Sequence, residues 1–340
     1  MRLHLTSQSR VIHCLVWISL LASVTRAQTF KVGVIEFYGA RRISMDVLRG
    51  AIGLREGDPI AIQDDKPPEV IENIKNQLLA VPGVAKVKLN SVCCEDGAMT
   101  IYVGIVEKGT PLARFRPEPK GEVRLPAEIV RDGEAFEDAL LDGIRKGDAG
   151  EDRSKGYSLM TYPPARRIQE KFPGYAARYG TTLHRVVRFS KDSRQRALAV
   201  QVIAYTPHRD LVIRDLLFAV SDPNSEVRNN AIRALMVMLE AGDPKIHVPV
   251  LPLLKLLKSP DWTDRNKSLL AIEVLTRNRE PGTLALVRRQ VMPELKEMAA
   301  WRVPGHSYPA LMILSRLKGI PETEANRLIE SGRKSEILGN

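Results

Sequence analysis

The sequence predicts a small α+β unit followed by an all-α array of helices. Two observations predict it. Between residues 30 and 108 the apolar positions switch from a period of two to a helical period and back, in the order β-α-α-β-β. Beyond residue 190 an eight-residue pattern recurs, with a small residue fourth and an apolar residue eighth.

In the first unit, Phe30 to Tyr38 alternates through Val32, Val34 and the Ile35-Phe37 segment and reads as a strand. Gly39 and the basic pair Arg41-Arg42 punctuate it. Ser44 is placed to cap a helix from Met45, with Val47, Leu48 and Ile52 on one face. Gly53 and the turn Glu56-Gly57-Asp58-Pro59 end that element. A second helix is expected from about Pro68 to Ala80, with Val70, Ile71, Ile74, Leu78 and Leu79 at helical spacing, stopped by Pro82-Gly83. Val84 to Cys94 alternates through Val87, Leu89 and Val92. Glu95-Asp96-Gly97 supplies a hairpin turn. Met99 to Val106 returns, with Ile101, Val103 and Ile105 on one face and Thr100, Tyr102 and Gly104 on the other.

Three segments in this order resemble the POTRA domain. They are Ile35-Glu36-Phe37-Tyr38-Gly39, then Leu54-Arg55-Glu56-Gly57-Asp58-Pro59-Ile60, then Val84-Ala85-Lys86-Val87 with the Asp96-Gly97 turn and the Ile101 to Glu107 strand. The resemblance covers residues 28–108. It implies a docking module whose open sheet edge accepts an extended peptide strand. A unit that only spaces or orients the rest of the chain fits the same residues. The family usually stands in tandem before an outer-membrane barrel. Here the chain continues into helices with no barrel-length series of strands, so direct barrel insertion is not expected.

Residues 109–160 read as a linker with a short helix. Four prolines, Pro111, Pro117, Pro119 and Pro126, favour an extended path to about residue 126. A helix is expected over 126–146, through Ile129, Val130, Phe136, Leu140, Leu141 and Ile144, followed by a polar loop over 147–156. The stretches Gly156 to Met160 and Ala165 to Gln169 resemble the connector of exported bacterial HEAT-repeat proteins.

The recurring pattern begins at Arg196, Arg228, Arg265 and, less regularly, Ser307, with offsets of 32, 37 and 42 residues. The small and apolar positions fall on one helical face, where the small side chain lets a neighbouring helix approach. Partner helices are expected over 211–220, 248–258 and 283–298. Residues 162–188 offer a divergent first pair, and residues 321–340 a short helix and tail. The Ser221-Asp222-Pro223-Asn224-Ser225 turn, the Val227-Arg228 pair and the Ala-rich helix resemble HEAT repeats. The resemblance implies an armadillo-type superhelical solenoid over 161–320 with a protein-binding groove. Arg196, Arg228 and Arg265 occupy equivalent positions. They are the candidate partner-binding residues, as a basic ladder gripping an acidic partner. Alternatively each pairs with a capping acid of its own turn or the next repeat.

The first 27 residues hold Arg2, Arg10 and Arg26, no acid, an apolar run over 11–24 and a small-residue site at Thr25-Arg26-Ala27. They read as a secretion signal cut after Ala27; an uncleaved inner-membrane anchor over 11–24 is the alternative. Without them the net charge falls from +11 to +8, with acids and bases interspersed, a pattern that argues against a nucleic-acid patch. Cys93 and Cys94 leave open a vicinal disulfide, pairing between chains, or two small packed residues. His184, His208, His247 and His306 form no HExxH motif or other close spacing, and P-loop and GxSxG patterns are missing. No residue is nominated as catalytic, cofactor-binding or metal-ligating. The sequence therefore points to a periplasmic, non-enzymatic adaptor that binds envelope proteins, with no nucleic acid or cofactor and at most peripheral membrane contact. The runner-up is an envelope enzyme on a HEAT-like scaffold with dispersed catalytic groups.

Overall fold

The computed structural model describes residues 28–62, 69–95, 97–206, 209–242 and 246–339. The predicted leader, Asp96 of the expected hairpin turn and His208 lie outside the described residues. The N-terminal part is a four-stranded mixed sheet with two helices: β1 (Gln28–Tyr38), α1 (Met45–Ala51), β2 (Pro59–Ile62), α2 (Glu69–Leu79), β3 (Val84–Glu95) and β4 (Ala98–Glu107). Its strand order is β2-β1-β4-β3, with β1 parallel to β4 and the other pairs antiparallel. The fold is therefore an α+β unit followed by helices, as the sequence predicts, with one strand more. β2 follows directly on the Glu56 to Pro59 turn and pairs with Gln28 to Lys31. Four residues give alternation too little length to register.

A bulge in β1 changes its phase. Val32 pairs with Met99 and Ile35 with Ile101, so three steps on β1 match two on β4. Val32, Ile35 and Phe37 thereby share the face that packs on α1 and α2, with Leu48, Ile74, Leu78, Ile101, Val103 and Ile105. Val34, expected alongside Val32, leaves that core. The Ser44 hydroxyl caps α1 as expected, accepting from the Asp46 N–H at 3.3 Å.

The opposite face of the sheet is also covered. Tyr38 and Tyr102 belong to the core of the helical part, and β4 is buried along almost its whole length. This explains the composition of that face. At Gly104 a β-carbon would lie 2.5 Å from the Tyr38 hydroxyl and 2.7 Å from the Pro260 carbonyl oxygen. Only glycine lets the helical part approach this closely.

The helical part comprises α3 (Ala127–Arg145), a small hairpin of β5 (Glu151–Asp152) and β6 (Leu159–Met160), α4 (Pro163–Gln169), α5 (Phe172–Phe189), α6 (Ser193–Ile203), α7 (Arg209–Ala219), α8 (Ser225–Glu240), α9 (Val250–Leu256), α10 (Trp262–Leu275), α11 (Pro281–Ala299), α12 (Pro304–Leu317), α13 (Glu322–Glu330) and α14 (Lys334–Leu338). The four repeat copies fall on α6, α8, α10 and α12, which stand side by side in one row. In a second layer α5 neighbours α7, and α9 neighbours α11. The small positions Ala199, Ala231, Ser268 and Ala310 are all buried. Among the described residues no helix is long and apolar enough to cross a membrane.

Two stretches read as loose from sequence are docked. The 147–156 region enters the β5-β6 hairpin, where Leu159 and Met160 are buried and Arg153 reaches Glu240 of α8 at 2.7 Å. The proline-rich segment runs as a strap over the helix ends. Arg116 N donates to Ser221 O at 2.9 Å, Gly121 N to Phe189 O at 2.9 Å, and Lys191 N to Gly121 O at 2.8 Å.

Two measurements check this packing. Gly104→Ala should destabilise the chain by about 1–3 kcal/mol in urea denaturation, because the new methyl meets the Tyr38 ring, which is buried and bonded to Pro260 O, and that backbone carbonyl itself. The second concerns Glu107, buried at the end of β4. Burial alone would push its carboxyl up, but the N–H groups of Arg42, Ile43 and Arg41 and the Arg42 side chain outweigh that and hold it at about 2. Its stabilisation is present above the ordinary carboxylate pKa of 4.5 and lost as pH falls from there toward about 2. Glu107→Gln should flatten the loss of stability over that window.

Candidate functional site

Arg196, Arg228 and Arg265 are the sequence's candidates for a binding surface. The structure puts them inside. Arg196, Arg228 and Arg265 are 0%, 1% and 4% exposed. Each lies in the first turn of its helix and sends a guanidinium N–H to the carbonyl six residues back. Arg196 reaches Ser190 O at 2.9 Å, Arg228 reaches Asp222 O at 2.8 Å, and Arg265 reaches Ser259 O at 2.6 Å. Each also takes a carboxylate from a later element. Arg196 pairs with Asp222 at 2.9 Å, Arg228 with Asp264 at 2.7 Å, and Arg265 with Glu297 at 2.8 Å.

A third contact comes from the N-terminal half, in register along the ladder. Glu118 accepts from Arg196 at 2.8 Å, the Phe115 ring lies 3.8 Å from the Arg228 guanidinium, and the Tyr38 ring lies 4.7 Å from that of Arg265. The expectation that these arginines grip an outside acidic partner is therefore corrected. A buried guanidinium must be neutralised where it stands, and here the chain supplies both the acids and the aromatic covers.

The residues just before the repeat helices divide their work. Asp192 accepts from the Arg194 and Gln195 N–H groups at the start of α6, and Asn224 from those of Glu226 and Val227 at the start of α8. Asp261, at the same position before α10, makes no capping bond. Its carboxylate faces Arg228 at 3.1 Å and Lys88 of β3 at 2.9 Å. Ion pairing has displaced capping there.

Trp262 and Trp301 are packed rather than displayed. Trp262 stacks on Tyr102 with centroids 4.7 Å apart, and Trp301 lies 5.1 Å from the same ring. The Tyr102 hydroxyl is bonded to Nδ1 of His306. Burial, and then the charge of Lys267, push the His306 pKa down. This cluster joins the sheet to α10 and α12. Tyr308 stays at the surface, where its hydroxyl donates to Asn326 at 2.9 Å.

Two features remain open. β3 forms the outer edge of the sheet, with β4 on one side and no strand on the other among the described residues. Lys86 on that strand is exposed. The opposite edge is shorter and partly closed. Beyond β2, Ile35 N donates to Glu56 at 3.2 Å and Ile35 O accepts from Arg302 at 3.2 Å. The second feature is a cleft between α5 and α7 holding His184. Sequence reasoning left His184 unassigned because its partner, Asp215, is 31 residues away on another helix.

Among the described residues no group of three or more His, Cys, Asp and Glu side chains could hold a metal ion. Cys93 and Cys94 fall in the irregular end of β3, between the Val92-Thr100 and Glu95-Ala98 pairs, and their side chains lie outside what is described. The chain matches no protein-family profile and no curated protein sequence.

Because the Arg228-Asp264 pair is desolvated, removing one partner strands the other. Arg228→Met should cost about 3–5 kcal/mol in chemical denaturation, and adding Asp264→Asn should recover a large part of that loss. Additive losses in the double variant would show that the pair is not coupled.

Proposed function

We propose that the chain is an exported, non-enzymatic interaction scaffold, a POTRA-like unit fixed on a HEAT-like solenoid, that takes an extended segment of an envelope protein on the β3 edge. The observation that carries this reading is the free outer side of β3, which runs for 12 residues. A strand added there gains a ladder of backbone hydrogen bonds, which supply affinity with little demand on sequence. Edge strands left open in this way are normally blunted; the exposed Lys86 does that here and favours an acidic segment. Both faces of the sheet are covered and the β1 side is partly closed, so the β3 rim is the part of the unit left for a partner. The repeat arginines play no part in recognition under this reading. They hold the scaffold rigid behind the rim.

The test uses the alternation of a strand. N–H groups of one alternating set, either Lys86, Lys88 and Asn90 or Val87, Leu89 and Ser91, point away from β4. Proline scanned through these positions should separate the sets. Inward prolines remove a ladder bond and should cost about 1 kcal/mol or more each. Outward prolines should leave stability near wild type and abolish binding of peptides selected from a displayed random library. Retained binding with the outward set would refute strand addition. For export, the protein recovered from cells should begin at Gln28 by mass spectrometry.

A further inference from the structure

The cleft between α5 and α7 has the features of a ligand site that neither the sheet edge nor the arginine ladder uses. Its volume is about 610 Å³, within the range of small-molecule pockets. The floor is apolar and built from short side chains: Ala176 and Gly180 on α5, Ile203 at the end of α6 and Val212 on α7. α5 departs from helical geometry at Tyr179, at the level of this floor.

The polar groups are gathered at one side and are short of acceptors. Asp215 is 2% exposed and is the cleft's buried carboxylate. It accepts from His184 Nδ1 at 2.8 Å and from Arg188 Nε at 2.9 Å. Arg188 is further held by the Phe218 ring, 4.4 Å from its guanidinium. One carboxylate thus fixes two donors, while the His184 side chain remains 47% exposed. Arg214 lines the same cleft from α7, is exposed, and has no ion-pair partner among the described residues. Leu211, 65% exposed, extends the apolar surface at the mouth. Asp215 is bonded to His184 and Arg188 and leaves Arg214 without an acid among the described residues, so the cleft presents an exposed cation beside two anchored donors above an apolar floor.

We infer that this cleft binds an amphipathic monoanion, an aliphatic carboxylate whose head meets His184, Arg188 and Arg214 and whose chain lies on the floor between α5 and α7. Head and tail are both required. The rim alone would hold any small anion weakly in water, and the floor alone would not orient a chain. The site is independent of strand addition at β3, and either can fail without the other.

The experiment is calorimetric titration of the purified chain with dodecanoate below its micelle concentration. Acetate, dodecanol and anionic phospholipid vesicles serve as separate arms. Two variants are chosen to leave the fold alone. A β-carbon at Gly180 would meet nothing within 4 Å, so Gly180→Leu has open space for its first carbon and extends from the lining into the cleft, and Arg214→Glu reverses an exposed rim charge. Dodecanoate should bind with a stoichiometry of one, acetate and dodecanol roughly tenfold more weakly or not at all, and each variant roughly tenfold more weakly than wild type. Circular dichroism and urea midpoints of both variants should match wild type. No saturable binding of dodecanoate, wild-type affinity in both variants, or binding to vesicles without binding to free dodecanoate would each overturn the assignment.

Discussion

Moving a guanidinium from water into a protein interior costs several kcal/mol unless its charge and its N–H groups are met on site. This chain buries three in a row. Each of Arg196, Arg228 and Arg265 is satisfied by a carbonyl of its own turn, six residues back, and by a carboxylate from a later element. The carbonyl fixes the turn before the helix. The carboxylate fixes the distance to the following repeat. Stacking of the helices is thus specified by geometry that a purely apolar seam would not impose, since apolar contacts are non-directional.

The same ladder explains why the N-terminal half does not hang free. Glu118, Phe115 and Tyr38 cover the three guanidiniums in turn. Extended backbone is what such a strap needs, and Pro111, Pro117 and Pro119 favour it before any contact forms. Lys88 meets Asp261, Gly39 N donates to Glu297 at 2.9 Å, and Tyr38 donates to Pro260 O at 2.7 Å. The sheet is therefore pressed against the turn before α10 by polar contacts around an aromatic centre. With both faces occupied, the outer rim along β3 is the part of this unit left uncovered by another strand among the described residues.

Much of this was legible in the sequence, and the rest was hidden for identifiable reasons. Helix α8 could be placed from Asn224, Ala231 and Leu235 because capping and period are local properties. Strand β4 could be placed for the same reason, and its second face of Thr100, Tyr102 and Gly104 was already odd for a solvent face. The bulge at Gly33-Val34 was not legible, because alternation alone does not say where the phase slips. The strap reads as a linker in the sequence because Phe115, Arg116 and Glu118 find their partners 78 or more residues later, apart from any periodicity. The arginines were recognised as equivalent, but their direction depends on Asp222, Asp264 and Glu297, each supplied by a different helix or turn.

A chain that neutralises its buried cations so consistently makes its exceptions informative. Arg316 on α12, outside the repeat motif, follows the rule, pairing with Glu273 at 2.6 Å and Glu322 at 2.7 Å. Lys267 on α10 does not. Burial first, and then the charge of Arg233, push its pKa down. His184 and Arg188 share one acid, while Arg214 has none among the described residues. These positions lie off the ladder, on the helix sides rather than at the turns that carry it. In this architecture the recurring arginine positions do structural work, and the charge they leave unmatched lies on the helix sides.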